Sequence, residues 1–207
     1  MPPGEPGTNA PLFWRAAVAD AVLRVDAIPA DAGHPDALDI GRTGIEALLL
    51  SRSDGAERLL LREGARSIRI DVRSGTLHQG PVRLRYALDG LARLDAQLLT
   101  LRRLSALWRL GRMSAELFPP ETRARRWIDL LRTIDARTAG ASHRDIAQAL
   151  FSRAQMRDGW RSESDYLRMR VQRLVRSGRA LVGGDYLALL RSRHARAASL
   201  GGDRGIA

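Results

Sequence analysis

The sequence predicts an α+β protein: an N-terminal antiparallel β-sheet of about four strands, then a helical half ending in an elaborated helix-turn-helix unit. Three observations carry this expectation. Between about Ile45 and Tyr86 the apolar residues alternate with polar ones or run in short blocks broken by Gly turns. From Asp89 the apolar period changes to about 3.6 residues. The positive charge, finally, is concentrated in the second half. With 207 residues, 44% of them apolar, the chain suffices for one large domain or two small ones with a packed core.

The opening stretch, MPPGEPGTNAP, is rich in Pro and Gly, and SLGGDRGIA near the other end offers nothing to bury. Residues 1–11 and 194–207 are therefore expected to be disordered tails. The four predicted strands are IEALLL, ERLLL, SIRIDV and VRLRY, joined by short turns at Asp54-Gly55, Glu63-Gly64 and Ser74-Gly75 that suit antiparallel hairpins. In SIRIDV the residues Ile68, Ile70 and Val72 point one way and Arg69, Asp71 and Arg73 the other, which describes a sheet with one buried and one wet face. Arg83 and Arg85 in VRLRY read as part of a solvated face balanced by nearby acids.

Leu91, Leu94, Leu98, Leu101 and Trp108 line one side of a long helix that Asp89 can cap and Gly111 can end. Leu99 and Leu110 lie off that stripe, so cover on more than one side is expected. FPPE breaks the chain, and Pro120 suits the first turn of the next helix, about 120–138, which is expected to bury Trp127, Ile128, Leu131 and Ile134 and to stop at Gly140. In AGASHRDIAQALF, Ser142 can cap a short helix whose Asp145 favours the positive end of the helix dipole and whose Ile146, Ala147, Leu150 and Phe151 form the buried face. The linker SRAQMRDGWR follows, with Trp160 expected to pin it to the core.

The last helix lies in SESDYLRMRVQRLVRSGRALV. Leu167, Val171, Leu174 and Val175 fall in one sector, Arg168, Gln172, Arg176 and Arg179 along one flank, Arg173 at the back and Arg170 on the other flank. From Leu167 to Val182 there is no acid, so pairing within the helix cannot account for the arginines. Arg can grip phosphate or pair bidentately with guanine, and Gln can pair with adenine, so the exposed side carries both positioning and reading chemistry. The plainer alternative is a solvated helix whose arginines meet acids elsewhere. A capped short helix followed by a longer amphipathic one is the order of a helix-turn-helix unit, but the linker exceeds the usual turn of about three or four residues. An elaborated variant is expected. On this reading residues 12–112 form the sheet and long helix, for oligomerisation or partner contacts, and 113–193 the DNA-binding domain. The predicted DNA-binding residues are Arg144, Arg161, Ser164, Arg168, Gln172, Arg173, Arg176 and Arg179.

All 34 basic residues are arginine, which GC-rich coding explains, but coding bias does not explain their distribution. Residues 1–100 hold 12 Arg against 13 acids and residues 101–207 hold 22 against 10. Such asymmetry hints at a nucleic-acid or anionic-membrane surface. The apolar face of the arginine helix lacks aromatics and is committed to a core, which disfavours lipid, and double-stranded DNA is the expected partner. There is no Cys, the histidines His34, His78, His143 and His194 are scattered, and no phosphate-binding Gly loop is present. No catalytic residue, cofactor, metal or small-molecule substrate is indicated, and His143 reads as a solvated or capping residue. No apolar run is long enough to span a bilayer and no signal peptide is visible, so the expected location is the cytoplasm.

LFWR, GPVRLRY, LRRL, LFPPE, GASHRDIAQALF, DGW, SESDYLRMRVQRLVRSGRAL and GGDYLALLR resemble, in order and spacing, the RovC-like family of bacterial DNA-binding domain proteins. The resemblance covers about Pro11 to Arg193, and its C-terminal signature is the specific part. It implies a transcriptional regulator, an activator of type VI secretion or mobile-element genes, with no enzyme activity or cofactor. Some longer relatives carry a further N-terminal acidic and aromatic segment that has no counterpart here. A short relative can instead act as an anti-activator, binding a related regulator rather than DNA; a homo-oligomer is also open.

Overall fold

The computed structural model describes residues 11–151 and 163–191. Over these the chain divides into two compact units, residues 11–119 with 189–191, and residues 120–188. The expected tails, apart from Pro11, and the linker with Trp160 and Arg161 lie outside the described residues.

Unit 1 is built on a five-stranded sheet: β1 Leu23–Pro29, β2 Glu46–Ser51, β3 Glu57–Glu63, β4 Arg66–Ser74 and β5 Val82–Ala87, in the order β2-β3-β4-β1-β5. The four strands read from the sequence are present, and β2-β3-β4 form the expected hairpins. The fifth, LRVDAIP, was not expected. It pairs antiparallel with β5 and parallel with β4, so the sheet is mixed and the turn at Ser74-Gly75 closes no hairpin. Leu23, Val25 and Ala27 face the core beside Ile68, Ile70 and Val72, which fixes β1 between the two strands. Gly75 makes this possible: its φ is +76°, and a Cβ there would collide with the carbonyl oxygen of Ala27.

The face opposite the core is less wet than the alternation suggests. The chain ahead of β1 lies against it, with Arg69 Nε donating to the Leu12 carbonyl at 3.0 Å and the Ala16 amide donating to Asp71 Oδ2 at 2.6 Å. Leu60, on β3, is consequently as buried as Leu59 and Leu61. At the end of β4, the Glu57 carboxylate is buried but accepts from Thr76 Oγ1 and the Leu77 amide, which replaces the water it gives up. Near the start of the unit's last segment, the Asp20 amide donates to the Leu190 carbonyl at 2.9 Å, and Leu190 packs on Ala16, Ala19 and Val22.

Helix α1, Leu91–Leu110, ends as expected at Gly111, whose φ is +65° and whose amide donates to the Leu107 carbonyl. Its start and its buried face differ from expectation. Asp89 does not cap it but pairs with Arg24 at 2.6 Å. The buried positions are Gln97, Thr100, Leu104, Ala106 and Leu107, while Leu91, Leu98 and Trp108 are exposed. Thr100 can turn inward because its hydroxyl donates to the Ala21 and Ala96 carbonyls. With leucines on every side of α1, apolar spacing alone did not fix its orientation.

Unit 2 begins with α2, Ala124–Thr138. Pro120 precedes this helix instead of lying in its first turn; Glu121 accepts from the Arg123 amide just before the start. Its buried residues are Leu130 and Thr133, whereas Ile128 and Leu131 are 48% and 45% exposed, so the face is rotated from the predicted one. Thr133 satisfies its hydroxyl on the Asp129 carbonyl and can therefore be buried. Helix α3, His143–Leu150, and helix α4, Glu163–Ala180, complete the core, in which Ile146, Ala147 and Phe151 meet Val171 and Val175. Helices α2 and α4 cross closely at Gly178, where a Cβ would lie 2.6 Å from Ile134 Cγ1. A wide turn, Leu181–Asp185, leads to the short helix α5, Tyr186–Leu189.

Candidate nucleic-acid interface

The predicted polarity of α4 is found. Val171 has no exposed surface, Val175 is buried, and Leu167 and Leu174 pack partly against the same cluster. Two inward valines at i and i+4 set the rotation of the helix, and that rotation sends Arg168, Gln172, Arg173, Arg176 and Arg179 to the exposed side. Ser164 falls in the first turn of α4.

Arginines in the two units differ in their partners. On the sheet Arg58, Arg62, Arg66 and Arg73 each pair with a carboxylate. Arg73 and Arg85 also act on Asp26, whose carboxyl lies below the usual range chiefly through a hydrogen bond from Ser74. Among the described residues Arg168, Arg173, Arg176 and Arg179 have no such partner. Arg170 stands apart: its guanidinium lies 4.4 Å from the centre of the Phe151 ring, which ties it to the core of the unit.

Arg168, Gln172, Arg176 and Arg179 follow one another along one edge of α4, a stripe about 16 Å long at the helical rise. At its C-terminal end the edge forms a concavity of about 440 Å³ with Arg137 at the end of α2 and His143 at the start of α3, floored in part by Val175. The structure thus brings Gln172, Arg176 and Arg179 together with two residues that the sequence reading did not place in the site. Arg137 is held there by a 2.6 Å hydrogen bond from Nη1 to the Ala141 carbonyl, while its Nε is buried without a partner. Neither residue carried a local signal, since both reach α4 only through the turn between α2 and α3. Arg144, the second residue of α3, is exposed.

That turn is set by the predicted cap. Ser142 Oγ accepts from the Asp145 amide, and Asp145 Oδ2 accepts from the Ser142 amide at 2.9 Å and hydroxyl at 2.7 Å, a reciprocal capping box. These bonds from Ser142 hold the Asp145 carboxyl below its ordinary value of 3.8. Because the folded value is the lower one, the stabilisation is complete above 3.8 and is lost as pH falls through the depressed value. Amide protection in α3, measured by hydrogen exchange, is accordingly expected to fall on acidification in the wild type. In Asp145→Ala it is expected to be low already at neutral pH, and equal protection in the two proteins would contradict the cap's role.

A short capped helix and an arginine-rich helix that carries no acid from Leu167 onward, sharing one small core, have the chemistry and form of a nucleic-acid-binding module. The chain belongs to the RovC DNA-binding domain family, described as a T6SS transcription factor DNA-binding domain, whose sequence profile matches residues 83–191. The match takes in β5 from Arg83 onward, α1 and the whole of unit 2. No curated protein matches the chain. DNA is the partner this family implies, and the protein is a DNA-binding regulator at that level of description. Among the described residues no helix is long and apolar enough to cross a membrane, and no cluster of His, Asp or Glu is placed to hold a metal ion.

Proposed function

We propose that the protein is a sequence-specific transcriptional regulator, acting in the cytoplasm as an activator of secretion-system or mobile-element genes and without enzymatic activity. In this reading α3 and α4 form an elaborated helix-turn-helix unit and α4 enters the major groove. The observation that carries the proposal is the acid-free edge Arg168, Gln172, Arg176 and Arg179, fixed outward by the buried Val171 and Val175. Arg144 contributes a phosphate contact from the start of α3. Unit 1 serves oligomerisation or a partner, for which the exposed Leu91, Leu98, Trp108 and Leu110 of α1 offer apolar surface.

Binding of the full chain to duplex DNA is expected to weaken with salt, log K falling against log salt with a slope of about −0.9 per phosphate contacted, for roughly four to eight contacts. The test is Arg168→Ala with Arg176→Ala, two exposed positions that should leave the melting temperature near that of the wild type. If both arginines meet phosphate, the slope shrinks by about two and affinity falls on every sequence; a guanine partner instead costs about 1–3 kcal/mol at sites carrying that base. Unchanged affinity in a folded double variant would remove α4 from the DNA interface. It would favour the second reading, an anti-activator that binds a related regulator, for which the exposed Tyr166 and Met169 of α4 supply apolar contact surface.

A further inference from the structure

We propose that the concavity formed by Arg137, His143, Gln172, Arg176 and Arg179 is a seat for one phosphate group, and that a backbone phosphate of the bound DNA duplex fills it. The inference rests on the DNA-binding reading and adds to it a defined anchoring point with two further binding residues, Arg137 and His143. The donors converge from three helices on a single hollow that, among the described residues, no carboxylate lines. Arg137 is already fixed by the Ala141 carbonyl, so its cation is in position before a ligand arrives. Preorganisation of this kind lowers the entropy lost on binding. His143 supplies an N–H donor in either protonation state, and Val175 gives the hollow an apolar patch between the donors. A compact anion with several acceptor oxygens matches that donor set, and phosphate is the common one.

Phosphate could come from a duplex or from a free phosphorylated small molecule. The geometry favours the duplex, because the cationic edge does not stop at the hollow but continues along α4 to Arg168, as a run of phosphates requires. Seating one phosphate between α4 and the α2–α3 turn would fix how far α4 enters the groove.

The experiment measures binding of the full chain to a fluorescein-labelled duplex of about 30 base pairs, over a salt series, for wild type, His143→Ala, Arg179→Ala and the double variant. Thermal melts show that each variant is folded. Each single substitution is expected to weaken binding about tenfold, the loss of one charge-assisted bond. Because both residues serve one phosphate, the double variant should lose less than the product of the single losses, and its salt slope should shrink by about 0.9 in total. Independent losses with a slope change near 1.8 would mean two separate phosphates and would overturn the shared seat. A fully active His143→Ala would overturn it too, with the DNA-binding reading intact. Calorimetric titration of ATP and of inorganic phosphate forms the second arm. Weak binding of both is expected; micromolar ATP binding that the double variant abolishes, with duplex binding unaffected, would assign the hollow to a free ligand instead. A wild-type chain that binds no duplex even at low salt would refute the DNA reading itself.

Discussion

Val171→Asp is expected to unfold unit 2. Val171 has no exposed surface and sits where α3 and α4 meet, against Ile146, Ala147 and Phe151. A carboxylate at that point finds no donor among these apolar neighbours, and burying it unpaired costs several kcal/mol. A unit of this size has a total stability of only about 3–10 kcal/mol, so the substitution consumes much or all of it. Val171→Ala should cost only about 1–3 kcal/mol, the transfer and cavity terms of a small truncation. Thermal and urea melts of the full chain would separate the two variants. If Val171→Asp melts with the wild type, α4 does not bury this face and its arginines are not where the interface requires them.

Gly75→Ala should be the most damaging of the small substitutions in unit 1. Two costs combine there: a left-handed φ of +76°, and a Cβ driven into the backbone carbonyl of Ala27, which has no flexible side chain to move aside. The strain alone amounts to about 1 kcal/mol, and separating β1 from the end of β4 adds several more by loosening the centre of the sheet. Gly55→Ala is the control, for its φ is +79° but nothing lies within 4 Å of the added carbon. Gly55→Ala is expected to lower stability by about 1 kcal/mol and Gly75→Ala by at least three times as much. Equal effects in a denaturant titration would show that β1 can withdraw from Gly75 at little cost.

Features completed by near neighbours in the chain were legible in the sequence, and those completed by distant residues were not. The capping box of Ser142 and Asp145 and the two-sided character of α4 were legible because each is complete within a few residues or a few turns. Strands β2 to β5 were legible from alternation and their Gly turns. Strand β1 was not, since LRVDAIP combines a weak strand former, Ala27, with a terminal Pro29, and its partners lie more than 40 residues away. On α1 and α2 the apolar spacing pointed to the wrong face because the buried positions include Thr100 and Thr133, whose hydroxyls are satisfied by main-chain carbonyls. At the interface the α4 edge could be drawn on a helical wheel, but Arg137 and His143 join it only through the packing of three helices. Arg144 beside His143 reads as a DNA contact, but nothing local joins Arg137 or His143 to the α4 edge.

Unit 1 is discontinuous: its segment 11–119 is completed by Leu190, which receives the Asp20 amide after the whole of unit 2 has intervened. During translation, then, β1 leaves the ribosome first and waits for β4 and β5, and the contact with Leu190 comes last. The three helices of unit 2 pack chiefly through α2 and α4, so that unit closes only once α4 has been made. The five strands are thus all made before unit 2, and only the segment ahead of β1, Ala16, Ala19 and Val22, waits for Leu190. That apolar segment, uncovered while unit 2 is being made, is the part for which a chaperone would have most to do.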